Sequence, residues 1–297
     1  MKNTRNAKIA RNVALFYFTL AGFCQSLHAQ SEIRLRLMHE TVIVVSLMAD
    51  QQGPFDFVLD TGTDTSIVDP SLARQLSLAS LGHVELNAVT GAKTLNRSSL
   101  RTLAAGSAHA ENVEVLIQDL AELRQVDSHI QGIAGQNFLA RFNYLLDYRK
   151  HTLRLEADHE VRDAIEGDSV PMERSENMLL VTTEAQSSGR AKLRLLLDSG
   201  ANLVLLTRAP SQAVDAASQQ GWVGTSSNGQ AGIKGGRVRE LTVGSQQFRD
   251  IAVAVPAPQP SDADRVEDGL LPMALFKAVY VNNREGFVMF NPRPKKQ

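Results

Sequence analysis

Asp60 and Asp198 are the residues of this 297-residue chain whose type and setting point most clearly to chemistry. Each closes an apolar run and opens an Asp-(Thr/Ser)-Gly tripeptide: Phe55-Asp56-Phe57-Val58-Leu59-Asp60-Thr61-Gly62 and Leu193-Arg194-Leu195-Leu196-Leu197-Asp198-Ser199-Gly200. A strand of this kind carries a carboxylate out of a core to a half-desolvated end. Glycine then lets the backbone turn sharply, with φ values that other residues avoid. The hydroxyls of Thr61 and Ser199 can bond neighbouring backbone and fix the loops. Two such loops meeting face to face set the carboxyls close together, where both cannot ionise cheaply. One proton affinity rises, the other falls, and the pair shares a proton. The ionised member can take a proton from a water while the neutral one donates to a carbonyl oxygen. That is amide hydrolysis with no metal, cofactor or covalent intermediate.

A repeat joins the two motifs. The offset of 138 that separates them also relates Leu103-Ala104-Ala105-Gly106-Ser107 to Leu241-Thr242-Val243-Gly244-Ser245, Gly91 to Gly229, and Val42–Val45 to Leu180–Thr183. Gln131-Gly132-Ile133-Ala134-Gly135 parallels Asp268-Gly269-Leu270-Leu271-Pro272 at an offset of 137. Five matches in one order at nearly constant spacing mark a duplicated unit.

Most of each unit reads as strand. Val42–Leu47, Phe55–Leu59, Asn112–Ile117, Tyr144–Asp147 and Thr152–Leu155 are β-branched or apolar runs bounded by turn residues in the first half. Met178–Thr183, Lys192–Leu197, Val238–Val243, Ile251–Val255, Ala278–Val281 and Phe287–Phe290 follow in the second. Short helices are expected at Pro70–Leu78, after Asp69, and at Ser211–Gln219. The charged stretch Glu156–Glu176 reads as a linker, and Pro256–Pro260 as a proline-rich loop. The expected fold class is therefore all-β, with two pseudo-two-fold-related β lobes and short helices. Residues 1–29 are expected to form a signal peptide, 30–160 an N-terminal lobe and 161–297 a C-terminal lobe.

Composition narrows the function. Net charge is −1 with no long basic run, so nucleic acid is not an expected partner. Lys2, Arg5, Lys8 and Arg11 precede the apolar run Val13–Phe23, the order of a secretory signal, with cleavage expected after Ala29. Without those first residues, 27 basic side chains face 32 acidic ones, a net charge of −5. The expectation is an exported periplasmic or extracellular protein, with no membrane span in the mature chain. Retention of the segment as an anchor, or lipidation at Cys24, is the alternative. Cys24 is the single cysteine, so the mature chain carries no disulfide or thiolate metal site. The histidines show no metal-ligand spacing, and Gly167-Asp168-Ser169 lacks the preceding apolar strand of a serine esterase motif. No metal is expected.

Asp60-Thr61-Gly62-Thr63 and Asp198-Ser199-Gly200-Ala201, each after an apolar strand, resemble the two active-site loops of pepsin/retropepsin-clan aspartic peptidases. The chain is most similar to bacterial retropepsin-like proteins with two fused lobes. In that clan a later glycine element crosses behind each catalytic loop. His129-Ile130-Gln131-Gly132-Ile133 and Glu267-Asp268-Gly269-Leu270-Leu271 occupy its place, with Gly132 and Gly269 lying 72 and 71 residues after their aspartates. The resemblance implies a bilobal acid-protease fold and a monomer that acts on protein or peptide substrate. Asp60 and Asp198 would hold the water, Thr61 and Ser199 would interlock the loops, and Gly62 and Gly200 would complete them. Thr63 would bond the Asp60 carboxylate, which Ala201 cannot do for Asp198, so the acids are expected to be inequivalent. Flaps are expected at Asn87–Lys93, with Val89, Thr90 and Gly91, and at Ser227–Gly236, with Gly229 and Gly232. A catalytically inactive peptide-binding protein on the same fold is the alternative function.

Overall fold

The computed structural model describes residues 32–88, 91–156, 160–175, 177–208, 210–215, 221–226, 229–257 and 265–296. The protein is mostly β, with two lobes built to one plan. In the first, Val42–Ala49 alternates buried and exposed residues and runs antiparallel to Gln52–Leu59, placing Val44 opposite Val58 and Leu47 opposite Phe55. Phe57, Val58 and Leu59 are all buried, because this strand is covered on both faces, and the polar alternation disappears towards its Asp60 end. Ile130–Ala134 then lies parallel to it, with Val58 opposite Ile133 and Leu59 opposite Ala134. The short strand Ser66–Val68, just past the Asp loop, takes the other side of Ile130–Ala134.

The second lobe repeats these strand pairings, with its opening hairpin shifted by two residues in register. Leu180 faces Leu196, Leu197 faces Leu271 in parallel, and Leu205 faces Leu270. In each lobe a long strand, Gly91–Ala105 or Gly229–Val243, forms a hairpin and then returns to pair with the lobe's opening strand. That return curls the sheet on itself and closes a core.

Between the lobes, Asn143–Asp147 and Ala278–Asn282 pair antiparallel, with Tyr144 opposite Val281 and Leu146 opposite Val279. This junction belongs to a thirteen-stranded sheet that continues into the second lobe through Ser169–Ser175, which pairs first with Phe287–Phe290 and then with Met178–Gln186. The first lobe's equivalent segment is broken at Leu35, whose amide donates to His151 O at 2.9 Å, so that lobe keeps its own eight-stranded sheet. One hydrophobic core runs through both lobes, with Phe57, Phe138, Tyr144 and Phe276 among its large fully buried side chains.

The expected strands are present and mostly longer. Pro70–Leu78 is a helix over Pro70–Gln75, its N-terminus capped by the Asp69 side chain on the Ser71 amide at 2.9 Å. Of Ser211–Gln219, the described residues differ from the expectation: Ser211–Ala213 turns as a 3₁₀ helix, after which Asp215 pairs with Arg237 in an isolated bridge. Asp215 also bonds Arg239 Nε at 2.7 Å, so this segment gains more from sheet contact than from helix. Residues 216–220 lie outside the described residues. Glu156–Glu176 is not a plain linker. It holds the helix Glu160–Ala164 and the strand Ser169–Ser175, because buried Val170 gives the strand an inward face that its charges obscure in sequence. Within the proline-rich stretch, Pro256 ends the strand Gln246–Pro256, and residues 258–264 lie outside the described residues.

Candidate active site

Both aspartates stand at the ends of doubly covered strands. The Asp60 amide donates to Ala134 O at 3.0 Å, and Asp198 is the last residue of Arg190–Asp198, opposite Pro272. Each side chain folds back over its own turn. Gly62 N donates to Asp60 Oδ1 at 2.8 Å. Gly200 N and Ala201 N donate to Asp198 Oδ1 at 2.7 and 3.1 Å.

Four hydrogen bonds lock the loops across the pseudo-two-fold. Thr61 Oγ1 donates to Leu197 O at 2.7 Å and accepts from Ser199 N at 2.9 Å. Reciprocally, Ser199 Oγ donates to Leu59 O at 2.8 Å and accepts from Thr61 N at 3.0 Å. Thr61 and Ser199 are fully buried, so each hydroxyl satisfies two backbone groups that have no water to turn to.

The two glycines are required by proximity. Gly62 and Gly200 do not have positive φ, contrary to the conformational role expected of them. A Cβ on Gly62 would stand 2.6 Å from Asp198 Oδ2, and one on Gly200 would stand 2.9 Å from Asp60 Cγ. Each carboxyl therefore lies against the glycine of the opposite loop, which brings Asp60 and Asp198 together.

Their proton affinities are both raised and are unequal. Burial pushes Asp60 up, while the Gly62 amide and a hydrogen-bonding interaction with Asp198 hold it back. Burial pushes Asp198 well above the usual carboxylate range, and the Asp60 charge adds to that. Both carboxyls thus hold a proton more tightly than an ordinary Asp, and they titrate as one coupled pair. The inequivalence does not come from Thr63. Among the described residues its hydroxyl makes no hydrogen bond to Asp60; its carbonyl instead accepts from Gln136 N at 2.8 Å. The extra donor, Ala201 N, is on the other loop.

Gly132 and Gly269 lie higher on their strands than the catalytic loops, opposite Phe57 and Leu195. A Cβ on Gly132 would meet the Phe57 ring at 2.1 Å, and one on Gly269 would meet Leu205 O at 1.9 Å. The residues that touch the first loop come just after Gly132, and the reading of the sequence passed over them. Gly135 packs against Thr63 and Thr65. Gln136 Nε2 donates to Thr61 O at 3.3 Å, and Asn137 Oδ1 accepts from Ser66 N and Oγ at 3.0 and 2.7 Å. Their signal was Ile133-Ala134-Gly135-Gln136-Asn137, an apolar pair followed by glycine and two amides, which the second copy replaces by Leu270-Leu271-Pro272-Met273-Ala274.

Hairpins stand at both expected flap positions. His83–Ala88 pairs with Gly91–Ala105, closing at Ala88 and Gly91, and Gly221–Ser226 pairs with Gly229–Val243, closing at Ser226 and Gly229. Gly232 pairs with Val223. Val89 and Thr90 lie outside the described residues. Among those residues, no group of three or more His, Cys, Asp or Glu is arranged to hold a metal, and no helix is long and apolar enough to cross a membrane.

The chain is similar at low identity to the crystal structure of a retropepsin-like aspartic protease from Rickettsia conorii. The two share 15% identity over 42% of this chain and 87% of that one, with a TM-score of 0.31. A search of curated proteins gives no significant match. The family model described as Aspartyl protease matches twice, over residues 45–138 and 183–275, so each match contains one of the two aspartates. With one match per lobe and more than half its length covered, the chain belongs to the aspartyl protease family.

Proposed function

We propose that this protein is an aspartic endopeptidase in which Asp60 and Asp198 activate a water between them. The observation that carries the reading is the pair of facing carboxyls, Asp198 buried and Asp60 partly buried, each set against the opposite glycine on loops locked by four hydrogen bonds. A fold that only bound peptides would gain nothing from two mutually repelling acids in a desolvated place, where they cost stability.

In the proposed reaction, the Asp60 carboxylate takes a proton from the water as its oxygen attacks the scissile carbonyl carbon. Asp198 gives its proton to the carbonyl oxygen, and a neutral tetrahedral diol forms. Asp60, now protonated, passes its proton to the amide nitrogen. Asp198 takes one back from a diol hydroxyl as the C–N bond breaks, which restores the starting protonation. The raised proton affinity of Asp198 supports its role as the acid. Both acids come from one chain, which supports action as a monomer. The basic-then-apolar N-terminus supports export, and N-terminal sequencing of the exported form tests cleavage after Ala29.

The test is a peptide-library digest from about pH 3 to 8, with wild type, Asp60→Asn and Asp198→Asn. Cleavage between apolar residues by wild type alone is the expected result. Undiminished cleavage by both variants overturns the mechanism, and cleavage by none favours a peptide-binding protein.

A further inference from the structure

At one end of the seam between the lobes lies a cavity of about 310 Å³, lined by Arg149, Gln246, Lys277, Asn291, Pro292 and Arg293. Asp147 and Ala278 are the last pair of the joining strands. Just past them, Tyr148 N donates to Lys277 O at 3.0 Å, which brings Arg149 and Lys277 to the same end. Asp147 Oδ1 fixes the turn there by accepting the amides of Arg149 and Lys150, both at 3.0 Å. Arg293 arrives on the short strand Arg293–Pro294, which pairs with Ile165–Glu166. The cavity thus draws Arg149 from the first half of the chain and its other lining residues from the second.

Three of its six lining residues are cations, and among the described residues no carboxylate lines it. Arg149, Lys277 and Arg293 are exposed, and among the described residues no hydrogen bond or ion pair engages their side chains. Arg36, Arg97, Arg124 and Arg194, by contrast, each meet a carboxylate. Two acids come close in the chain without joining the lining. Asp147 is committed to its two amides, and Glu166 is exposed opposite Arg293. Lys295 and Lys296, also exposed, follow on the same segment. Unpaired like charges repel one another, and this group gathers in a chain whose net charge is −1.

The uncharged polar groups of the cavity are left as donors. Asn291 Oδ1 accepts the backbone amides of Lys277 and Ala278 at 2.7 and 3.4 Å. Only an oxygen can do that, so the other end of the side chain is its NH2 group. That group donates to Gln246 Oε1 at 2.6 Å. Gln246 is therefore left with its own NH2, which reaches Ser245 Oγ at 3.3 Å and keeps a second hydrogen.

We propose that this cavity binds a phosphate group, held by Arg149, Lys277 and Arg293 with the Gln246 amide. Two guanidinium forks and an ammonium match an oxyanion with several acceptor oxygens and a charge near −2 better than a single carboxylate. The volume is at the lower end of the roughly 300–1,000 Å³ of small-molecule sites, so a phosphate and a small group attached to it can enter. Because the cations come from both halves, the bound phosphate ties the lobes together and raises the stability of the folded chain. The site lies outside the catalytic dyad and does not depend on the peptidase reading.

The test is isothermal titration of the purified chain with inorganic phosphate at constant ionic strength, with chloride as the balance. Arg149→Gln, Lys277→Gln and Arg293→Gln are compared with Arg74→Gln, an exposed arginine on the helix Pro70–Gln75. Expected is saturable binding by wild type and Arg74→Gln, weakened about tenfold in each of the other three, as for one lost charge-assisted hydrogen bond. Phosphate should raise the urea midpoint of wild type more than that of the three variants. Co-sedimentation with vesicles of phosphatidylcholine, with and without phosphatidylglycerol, then separates the sources. Phosphatidylglycerol-dependent binding that the three variants weaken makes a lipid headgroup the source; phosphate binding without it makes the source a free phosphate. Absence of both kinds of binding in wild type overturns the proposal. So does an equal loss in Arg74→Gln, which marks a general field instead of a site, or undiminished binding in all three variants. The three side chains are exposed, so their variants should fold; should one not, the other two decide.

Discussion

Replacing Thr61 by valine keeps the shape of the side chain and removes only the hydroxyl. Thr61 Oγ1 serves Leu197 O and Ser199 N, both on the other lobe's loop. Valine leaves those two groups buried without partners. A buried unsatisfied group costs on the order of 1–3 kcal/mol, so the loss for two is about 2–6 kcal/mol. Ser199→Ala strands a different pair, Leu59 O and Thr61 N, and carries a similar loss. The double variant loses all four bonds, about 4–12 kcal/mol, which rivals the roughly 5–15 kcal/mol that holds an ordinary domain folded. Urea unfolding of all four proteins, followed by far-ultraviolet circular dichroism, measures each loss. The single variants should unfold at clearly lower urea, and the double variant should be largely unfolded without it. Either single variant lying within about 0.5 kcal/mol of wild type, a loss typical of surface substitutions, would refute this. The loop hydroxyls would then not be what joins the lobes.

The dyad supports three further predictions. Gly62→Ala should lower kcat/KM by about a hundredfold while melting near wild type, since its Cβ would displace Asp198 from 2.6 Å by close to 1 Å; peptide kinetics beside a thermal melt check this, and wild-type turnover would sink it. The activity profile should be bell-shaped and sit above the ordinary carboxylate range, because the coupled pair sets both limbs and burial pushes both acids up; a maximum well below pH 4, the ordinary Asp range, would contradict it. Stability should fall as pH rises above the ordinary Asp value, because the folded chain binds these protons more tightly than the unfolded one and so holds more of them there. Asp198→Asn should therefore be more stable than wild type near neutral pH, with the difference fading in acid. Equal urea midpoints at neutral pH would refute this.

What was legible in the sequence was whatever two copies repeat. Asp60 and Asp198 announced each other through their shared strands, and the repeat predicted that Thr61 and Ser199 would meet. What the copies do not share stayed hidden. Gln136 and Asn137 support one loop only, and a comparison of the two copies passes over them. Ser169–Ser175 was hidden for another reason: Pro171 and its charges read as a crossing, while its pairing with Phe287–Phe290, more than a hundred residues later, cannot be seen locally. Polarity misled at Ser211–Gln219, where helix-compatible residues are overruled at Asp215 by a bridge to Arg237. The role of Gly62 was right in place and wrong in cause, because φ is read from one residue and a close approach from two.

The pairing of Asn143–Asp147 with Ala278–Asn282 carries a hazard in time. The first strand leaves the ribosome well before its partner: Ala278, opposite Asp147, comes 131 residues later in the chain. At roughly 5–20 residues per second, the gap is about 7–26 s. Throughout it the first lobe presents an open β edge bearing Tyr144 and Leu146, which end fully buried. An unpaired apolar edge accepts any compatible strand, including the same strand of another copy. The seam that joins the halves in the finished protein is thus the place where nascent chains can cross-pair, and slower synthesis of the second half lengthens the exposure.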